Sequence, residues 1–192
     1  MTHDTIVALV VLGVVGQVLI GLGIVVGALA LAGVRGPLDA LRNVLWGYEL
    51  WGAFIVAAIA TGGSLFFSEV KHFIPCEFCW FQRILMYPLS ILTLFIAGRG
   101  DNRAARYLLP LPIVGAGTSI YHMLIERGVI KEPVACTAQG GCATDWIAKE
   151  GFGYMTIPTL ALTAFLLLIG FLVLASAGEA EVPATLPAHA ER

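Results

Sequence analysis

The sequence predicts an all-α membrane protein with five transmembrane helices. Of its 192 residues, 58% are hydrophobic and only 12% are charged, whereas about 25% of a soluble domain is charged. The mean hydropathy is +0.88, and the length leaves room for roughly four to six spans of about 20 residues each. A soluble globular domain and a disordered chain are excluded. A net charge of −2 without a basic cluster also argues against a nucleic-acid partner.

Charged residues delimit five apolar runs, because a charged side chain at the bilayer centre costs roughly 2.5–3.5 kcal/mol. Between the flanking charges, only the third run contains a charged residue, Arg83, close to one end. A β-barrel is not indicated, since its strands would alternate apolar with polar residues. The spacing of the charges predicts transmembrane helices at 6–32, 49–67, 79–97, 106–125 and 156–177.

The first apolar run is far longer than the segment of about 7–15 apolar residues in a signal peptide, and no positive charge precedes it. Ala28-Leu29-Ala30 does resemble a cleavage site, so removal as a signal peptide stays the alternative. The predicted organisation is a first transmembrane helix at 1–34, an amphipathic cytoplasmic connector at 35–47, four further spans within 48–177 and a disordered tail at 178–192.

The distribution of basic residues predicts the orientation. The connections 35–48 and 98–106 carry two and three arginines, so the positive-inside rule places both in the cytoplasm. The connections 69–78 and 126–156, whose basic residues are offset by acidic ones, are then extracytoplasmic. The sequence therefore predicts a multi-pass protein of the cytoplasmic membrane, embedded in the lipid bilayer, with all four cysteines on the extracytoplasmic side.

The cysteines form two close pairs. Cys76 and Cys79 make a C-x-x-C at the start of the third span, and Cys136 and Cys142 make a C-x5-C in the largest outer loop. A helix N-terminus favours a thiolate, and Arg83, one turn after Cys79, is expected to favour it at Cys79. Two dithiol pairs suggest a relay that passes electrons from a soluble protein to a lipid-soluble acceptor by thiol–disulfide exchange.

Two other interpretations of the cysteines stay open at this point. In the first, the protein is non-catalytic and both cysteine pairs form structural disulfides. A disulfide across the short 76–79 loop would remove little chain entropy from the unfolded state and would therefore stabilise the fold little. Alternatively, all four cysteines hold one zinc ion, which gives no role to Arg83. The small and polar residues at 137–141 predict an exposed, exchangeable loop disulfide.

Residues 76–89, CEFCWFQRILMYPL, resemble the C-x-x-C-W-[YF]-Q-R-x-x-M-Y-P-L signature of the DsbB/BdbC disulfide bond formation proteins. The resemblance extends over about 48–177 and implies a four-helix transmembrane bundle there, with the helix at 1–34 as one additional N-terminal transmembrane helix. Vitamin K epoxide reductases, the nearest rival fold, place the loop pair before the membrane C-x-x-C, and the order here is reversed. Further landmarks follow in the family's order, namely Tyr121-His122, the loop cysteines, Trp146, Gly151-Phe152-Gly153 and Ile157-Pro158-Thr159-Leu160.

The resemblance implies an enzyme that reoxidises an extracytoplasmic thioredoxin-fold, DsbA-like thiol oxidase and reduces a membrane quinone, either ubiquinone or menaquinone. It implies that the partner attacks Cys136, that Cys142 is its disulfide mate, and that Cys76 exchanges with this pair. Cys79 would then face the quinone, with Arg83 and His122 lining the quinone site, and no metal is implied. Residues 1–47 depart from the four-span family core, and the short C-x5-C leaves the order of disulfide exchange open.

Overall fold

The structure is a computed structural model that describes residues 2–133, 136, 141–144, 146–147 and 153–178. These residues contain helices and connections but no strand, so the predicted all-α class is confirmed. A π-helical segment, Phe66–Val70, directly continues the third helix. The α-helices are α1 (Thr2–Leu31), α2 (Gly36–Leu45), α3 (Glu49–Leu65), α4 (Glu77–Arg99), α5 (Asn102–Leu108), α6 (Pro110–Glu126) and α7 (Ile157–Gly178).

Five helical segments in the described part of the chain are long and apolar enough to cross a membrane, which confirms the five predicted spans. The fourth of these segments is divided into α5 and α6, because Pro110 and Pro112 lack the amide hydrogens that would continue the helical hydrogen bonds. The Asp101 carboxylate begins α5 by accepting a hydrogen bond from the Ala104 N–H at 3.1 Å. The segments are His3–Leu31, Glu49–Val70, Glu77–Arg99, Asn102–Glu126 and Ile157–Ala177.

The bundle consists of α3, α4, α6 and α7, with α3 and α6 each packed against both α4 and α7. Small residues allow these helices to approach closely, as is usual in membranes. A Cβ atom at Gly115 of α6 would lie 2.4 Å from the ring of Phe165, which is fully buried in α7. Phe165 thus occupies the space that the glycine leaves free.

Helix α1 packs against α7 from outside the bundle. Near its N-terminus, Ile6 and Val10 are fully buried in a cluster with Phe67, Ile147 and Met155. The connector contains α2, none of whose residues is buried. The predicted tail, 178–192, lies outside the described residues except for Gly178, the last residue of α7.

The two ends of the bundle differ in chemistry. One end carries the start of α4 and the end of α6, and there Cys76, Cys136 and Cys142 form a buried cluster against which the partly buried Cys79 packs. The opposite end carries the α4–α5 connection and α2, with their arginines. The topology therefore gathers the thiol chemistry at a single end of the helices.

Candidate redox site

Cys76 and Cys79 are positioned by the first turn of α4. Cys76 is the N-cap residue, with extended backbone, and its sulfur accepts a hydrogen bond from the Cys79 amide at 3.4 Å. Both cysteines are free thiols, and their Sγ atoms lie 2.9 Å apart. An N-cap acceptor satisfies an otherwise unpaired amide of the first turn, so the C-x-x-C spacing places both sulfurs at one helix end.

The surroundings of Cys76 stabilise its thiolate. The hydrogen bond from the Cys79 thiol lowers the pKa of Cys76 most, and the hydrogen bond and electrostatic attraction of His122 lower it further. Burial opposes these effects, and the resulting pKa of Cys76 is about 4. The thiolate was expected at Cys79, because Arg83 lies one turn after it. The structure instead gathers the hydrogen-bond donors around Cys76.

His122 connects the two cysteine pairs. Its Nε2 atom lies 3.5 Å from the Cys76 sulfur and 3.1 Å from the backbone oxygen of Cys142. Because a carbonyl oxygen only accepts, Nε2 carries the hydrogen and donates it. The ring is 3% exposed and lies 5.8 Å, centroid to centroid, from the ring of Phe78, which restricts its rotation.

The loop cysteines form a Cys136–Cys142 disulfide. Their side chains are 0% and 2% exposed, respectively, in a cluster with Cys76 and Ile125. The prediction of an exposed disulfide is therefore wrong, because the short loop folds its sulfurs back onto the end of α6. The intervening residues 137–140 lie outside the described part of the chain.

The Glu132 carboxylate holds the second half of this loop. One of its oxygens accepts hydrogen bonds from the backbone N–H groups of Cys142 and, at 3.2 Å, of Ala143. A carboxylate that accepts from two amides forms charge-assisted hydrogen bonds, which are stronger than neutral ones. Glu132 therefore fixes the position of Cys142 beside His122.

A cavity of about 290 Å³ opens beside Cys79, between α1, α3, α4 and α7. Its lining is mostly apolar, and Cys79 and Arg83 contribute polar atoms to it. Neither Cys76 nor His122 is among the residues that line it. Cys79 therefore separates two environments, with the cavity on one side and the Cys76 sulfur on the other.

Arg83 is held in place by α3. Its Nε donates to the Ser64 hydroxyl at 3.0 Å, and its terminal nitrogen donates to the Ser64 carbonyl at 3.1 Å. The Tyr87 hydroxyl also contacts the Ser64 hydroxyl, at 3.3 Å, and the guanidinium lies 5.4 Å from the centre of the Trp80 ring. These contacts compensate for the cost of a cation within a span.

The six predicted site residues lie in two adjoining groups. Cys79 and Arg83 line the cavity, whereas Cys76, Cys136, Cys142 and His122 lie together beside it. The polar contacts of His122 are to Cys76 and Cys142, and α6, which carries it, contributes no residue to the cavity; its role at the quinone site stays a prediction. A four-cysteine zinc site is contradicted, since two of the four sulfurs are joined in a disulfide.

Sequence reasoning missed Ser64, Glu132 and an aromatic stack above the cavity. In this stack, the rings of Phe73 and Trp146 lie 4.9 Å apart, centroid to centroid, and both line the cavity. The available signals were weak. Ser64 is a polar residue near the end of an apolar helix, and Glu132 is one acid in a loop with several charges.

Comparison with known proteins identifies the family. The family model described as "Disulfide bond formation protein DsbB" matches residues 49–175. Disulfide bond formation protein C of Bacillus subtilis is 43% identical over 136 residues, covering 69% of this chain and 95% of the relative. A probable disulfide formation protein of Deinococcus radiodurans is 41% identical over 131 residues, covering 65% and 86%.

No solved structure matches the chain significantly. The family match begins at the first residue of α3 and ends within α7, so α1 and α2 lie outside it. Within it lie all four cysteines, Arg83 and His122. The non-catalytic alternative is set aside on this basis, and the chain belongs to the DsbB family of disulfide bond formation proteins as a membrane thiol–disulfide oxidoreductase.

Proposed function

We propose that this protein reoxidises an extracytoplasmic, DsbA-like thiol oxidase with a thioredoxin fold and passes the electrons to a membrane quinone. The position of Cys79 supports this most strongly. Its sulfur lies 2.9 Å from that of Cys76 and borders the cavity that Arg83 also lines. One thiol is thus in reach of both a disulfide-exchange partner and an acceptor in the cavity.

The cavity fits a quinone in size and polarity. Small-molecule sites are typically about 300–1,000 Å³ and mostly apolar, with a few polar groups, and this cavity of about 290 Å³ has that character. Arg83 and Tyr87 would hold the polar ring beside Cys79, and the apolar walls would hold the chain. A bound quinone supplies an acceptor for two electrons and two protons.

The first electron transfer occurs at the loop disulfide. A thiolate of the partner attacks Cys136, a mixed disulfide forms, and Cys142 leaves as a thiolate and is protonated. The second partner thiol then releases Cys136, so the partner gains a disulfide and the loop pair gains two electrons and two protons. Because Cys136 is fully buried, the partner reaches its sulfur only when Cys136 leaves its contact with Ile125.

The second transfer brings the electrons to the C-x-x-C pair. The loop dithiol reduces a Cys76–Cys79 disulfide, the loop disulfide re-forms, and the arrangement seen in the structure results, with Cys76 and Cys79 as thiols. Cys76 is the exchanging member, because it shares a buried cluster with both loop cysteines. His122 stabilises its thiolate through Nε2–H.

The last transfer reoxidises the C-x-x-C pair. The proton shared between the two sulfurs moves from Cys79 to Cys76, which leaves the anion facing the cavity and the Arg83 cation. The pair, one thiol and one thiolate, then gives up two electrons and one proton and re-forms its disulfide, and the second proton that a quinol needs comes from solvent. We also propose that the cysteine end is extracytoplasmic, since the arginines lie at the opposite end, and that the quinone is ubiquinone or menaquinone.

The test is quinone reduction by the purified protein in detergent, with a reduced thioredoxin-fold dithiol as donor. We expect turnover with the wild type, none with Cys79→Ser, and unchanged turnover with Ser90→Ala, a control in the same helix outside the cavity lining. Absence of turnover with both ubiquinone and menaquinone, from folded protein with an oxidised loop pair, would contradict the proposal. Equal turnover of Cys79→Ser and wild type would contradict the assigned role of Cys79.

A further inference from the structure

Helix α1 lies outside the family match, yet it forms one wall of the cavity beside Cys79. The cavity is therefore enclosed by a helix that the four-helix core does not contain. Its lining residues on α1 are Leu9, Leu12, Gly13, Val15, Gly16 and Leu19.

Glycines seat α1 closely against α7. A Cβ atom at Gly13 would lie 2.4 Å from a methyl carbon of Leu160, and one at Gly16 would lie 2.9 Å from the methyl carbon of Thr163. Small residues at such positions let membrane helices approach closely. The contact is therefore specific in register and not a loose association of apolar surfaces.

A polar contact reinforces this register. Gln17 lies in the middle of α1, and its side chain donates to the Thr163 hydroxyl at 3.4 Å. The Tyr154 hydroxyl donates to the side-chain amide oxygen (Oε1) of Gln17 at 3.1 Å. Hydrogen bonds between membrane helices stabilise their association. Gln17 thus joins α1 to the first half of α7.

On its other side, α1 reaches α3. The Leu9 side chain packs against Gly63 of α3, where an added Cβ atom would lie 3.3 Å from a methyl carbon of Leu9. The next residue, Ser64, accepts a hydrogen bond from Arg83. The helix axis rises about 1.5 Å per residue, so Leu19 lies roughly 15 Å beyond Leu9. α1 therefore lines the cavity from the level of Arg83 towards the opposite end of the bundle.

We propose that α1 is the part of this protein that binds the apolar chain of the quinone and so sets a preference for long-chain quinones. This inference rests on the proposed quinone site. Cys79 and Arg83 lie at the cysteine end of the cavity, where the ring would bind, whereas Leu12, Val15 and Leu19 extend the apolar wall away from it. A quinone without a chain would not reach Leu19.

Adjacent residues of α1 provide a matched test. Leu19 lines the cavity and Val18 does not, although both are about half exposed, at 52% and 58%. We would measure the Kd and the kcat/KM of Leu19→Trp and Val18→Trp for a ubiquinone with a long isoprenoid chain and for its chain-free parent. The amount of quinone that copurifies with each variant gives a readout independent of turnover.

We expect Leu19→Trp to weaken binding of the long-chain quinone by about tenfold, because the larger indole ring would occupy space in the cavity that the isoprenoid chain needs. Binding of the chain-free quinone, and both values for Val18→Trp, should stay within about twofold. Leu19→Ala, which introduces no bulk, should weaken long-chain binding by about threefold through lost apolar contact.

Equal effects at positions 18 and 19, or equal losses for the two quinones in Leu19→Trp and Leu19→Ala, would overturn the role of α1. Wild-type protein that binds neither quinone would instead overturn the proposed quinone site, and the inference with it. The two failures are distinguishable because the first appears only in the variants, whereas the second appears already in the wild type.

Discussion

The Nε2 atom of His122 lies 3.5 Å from the Sγ atom of Cys76, although the two residues are 46 positions apart in the chain. The same nitrogen donates to the backbone oxygen of Cys142 at 3.1 Å. One imidazole therefore contacts the thiolate at the start of α4 and the loop that carries the disulfide. We infer that His122 holds the two cysteine pairs beside each other so that thiol–disulfide exchange between them is possible.

The first prediction concerns the reactivity of Cys76. Because its pKa is lowered to about 4, the thiolate is present at all pH values above that and is lost only as the pH falls through it. Replacing His122 by Leu removes a donor, so the pKa should rise towards the ordinary value of about 8.5. The midpoint of the pH dependence of iodoacetamide alkylation should shift upward. Tyr121→Phe is the control, and an unshifted midpoint in His122→Leu would refute the role of His122.

The second prediction concerns the two hydrogen bonds from Arg83 to Ser64. Arg83→Lys keeps the charge but loses the two-point contact with the Ser64 hydroxyl and carbonyl. Hydrogen bonds to charged groups contribute about 1.5–3 kcal/mol, so the KM for quinone should rise roughly tenfold or more. Steady-state kinetics measures it, with Arg99→Lys at the other end of α4 as the control. An unchanged KM would mean that Arg83 does not position the quinone.

The third prediction concerns Glu132 and the loop disulfide. Glu132→Ala removes the acceptor for the N–H groups of Cys142 and Ala143. Losing a charge-assisted contact destabilises the oxidised loop by about 1.5–3 kcal/mol. The ratio of reduced to oxidised glutathione at which half of the disulfide is reduced should therefore correspond to an equilibrium constant for reduction roughly tenfold larger. Titration against glutathione checks this, with Lys131→Ala as the neighbouring control. Identical midpoints for the two variants would show that Glu132 does not stabilise the oxidised loop.

The fourth prediction concerns stability. Gly115→Ala places a methyl group 2.4 Å from the buried Phe165 ring, so it should destabilise the bundle by about 1–3 kcal/mol. Gly117→Ala, on the same helix, has no atom within 4 Å of the new methyl group and should be neutral or slightly stabilising, since alanine is the better helix former. Thermal unfolding in detergent compares them. A Gly115→Ala variant as stable as Gly117→Ala would contradict the observed packing.

The spans were predictable because the bilayer restricts where charges lie. Asp4, Arg35 and Glu49 mark boundaries in the sequence that the helices reproduce within four residues. The C-x-x-C at the start of α4 was predictable for the same reason, since Cys76 follows the polar end of one span and begins the next.

The partners of the site residues were not predictable, because they depend on how distant helices pack. Nothing near Arg83 in sequence indicates that Ser64, 19 residues earlier, holds it. The direction of the His122 ring depends on which face of α6 packs on α4. Small polar residues between Cys136 and Cys142 usually indicate exposure, but they do not show where the two sulfurs pack.

The central claim is that electrons leave the protein only through Cys79, after passing from the loop pair through Cys76. Fully reduced protein, with all four cysteines as thiols, would be mixed with excess quinone without oxygen, and the quinol formed would be counted. Each dithiol carries two electrons, so the wild type should form two quinols per chain and the Cys136→Ser, Cys142→Ser double variant one. Cys79→Ser should form none. Quinol formation by Cys79→Ser, or none by the double variant, would contradict the relay.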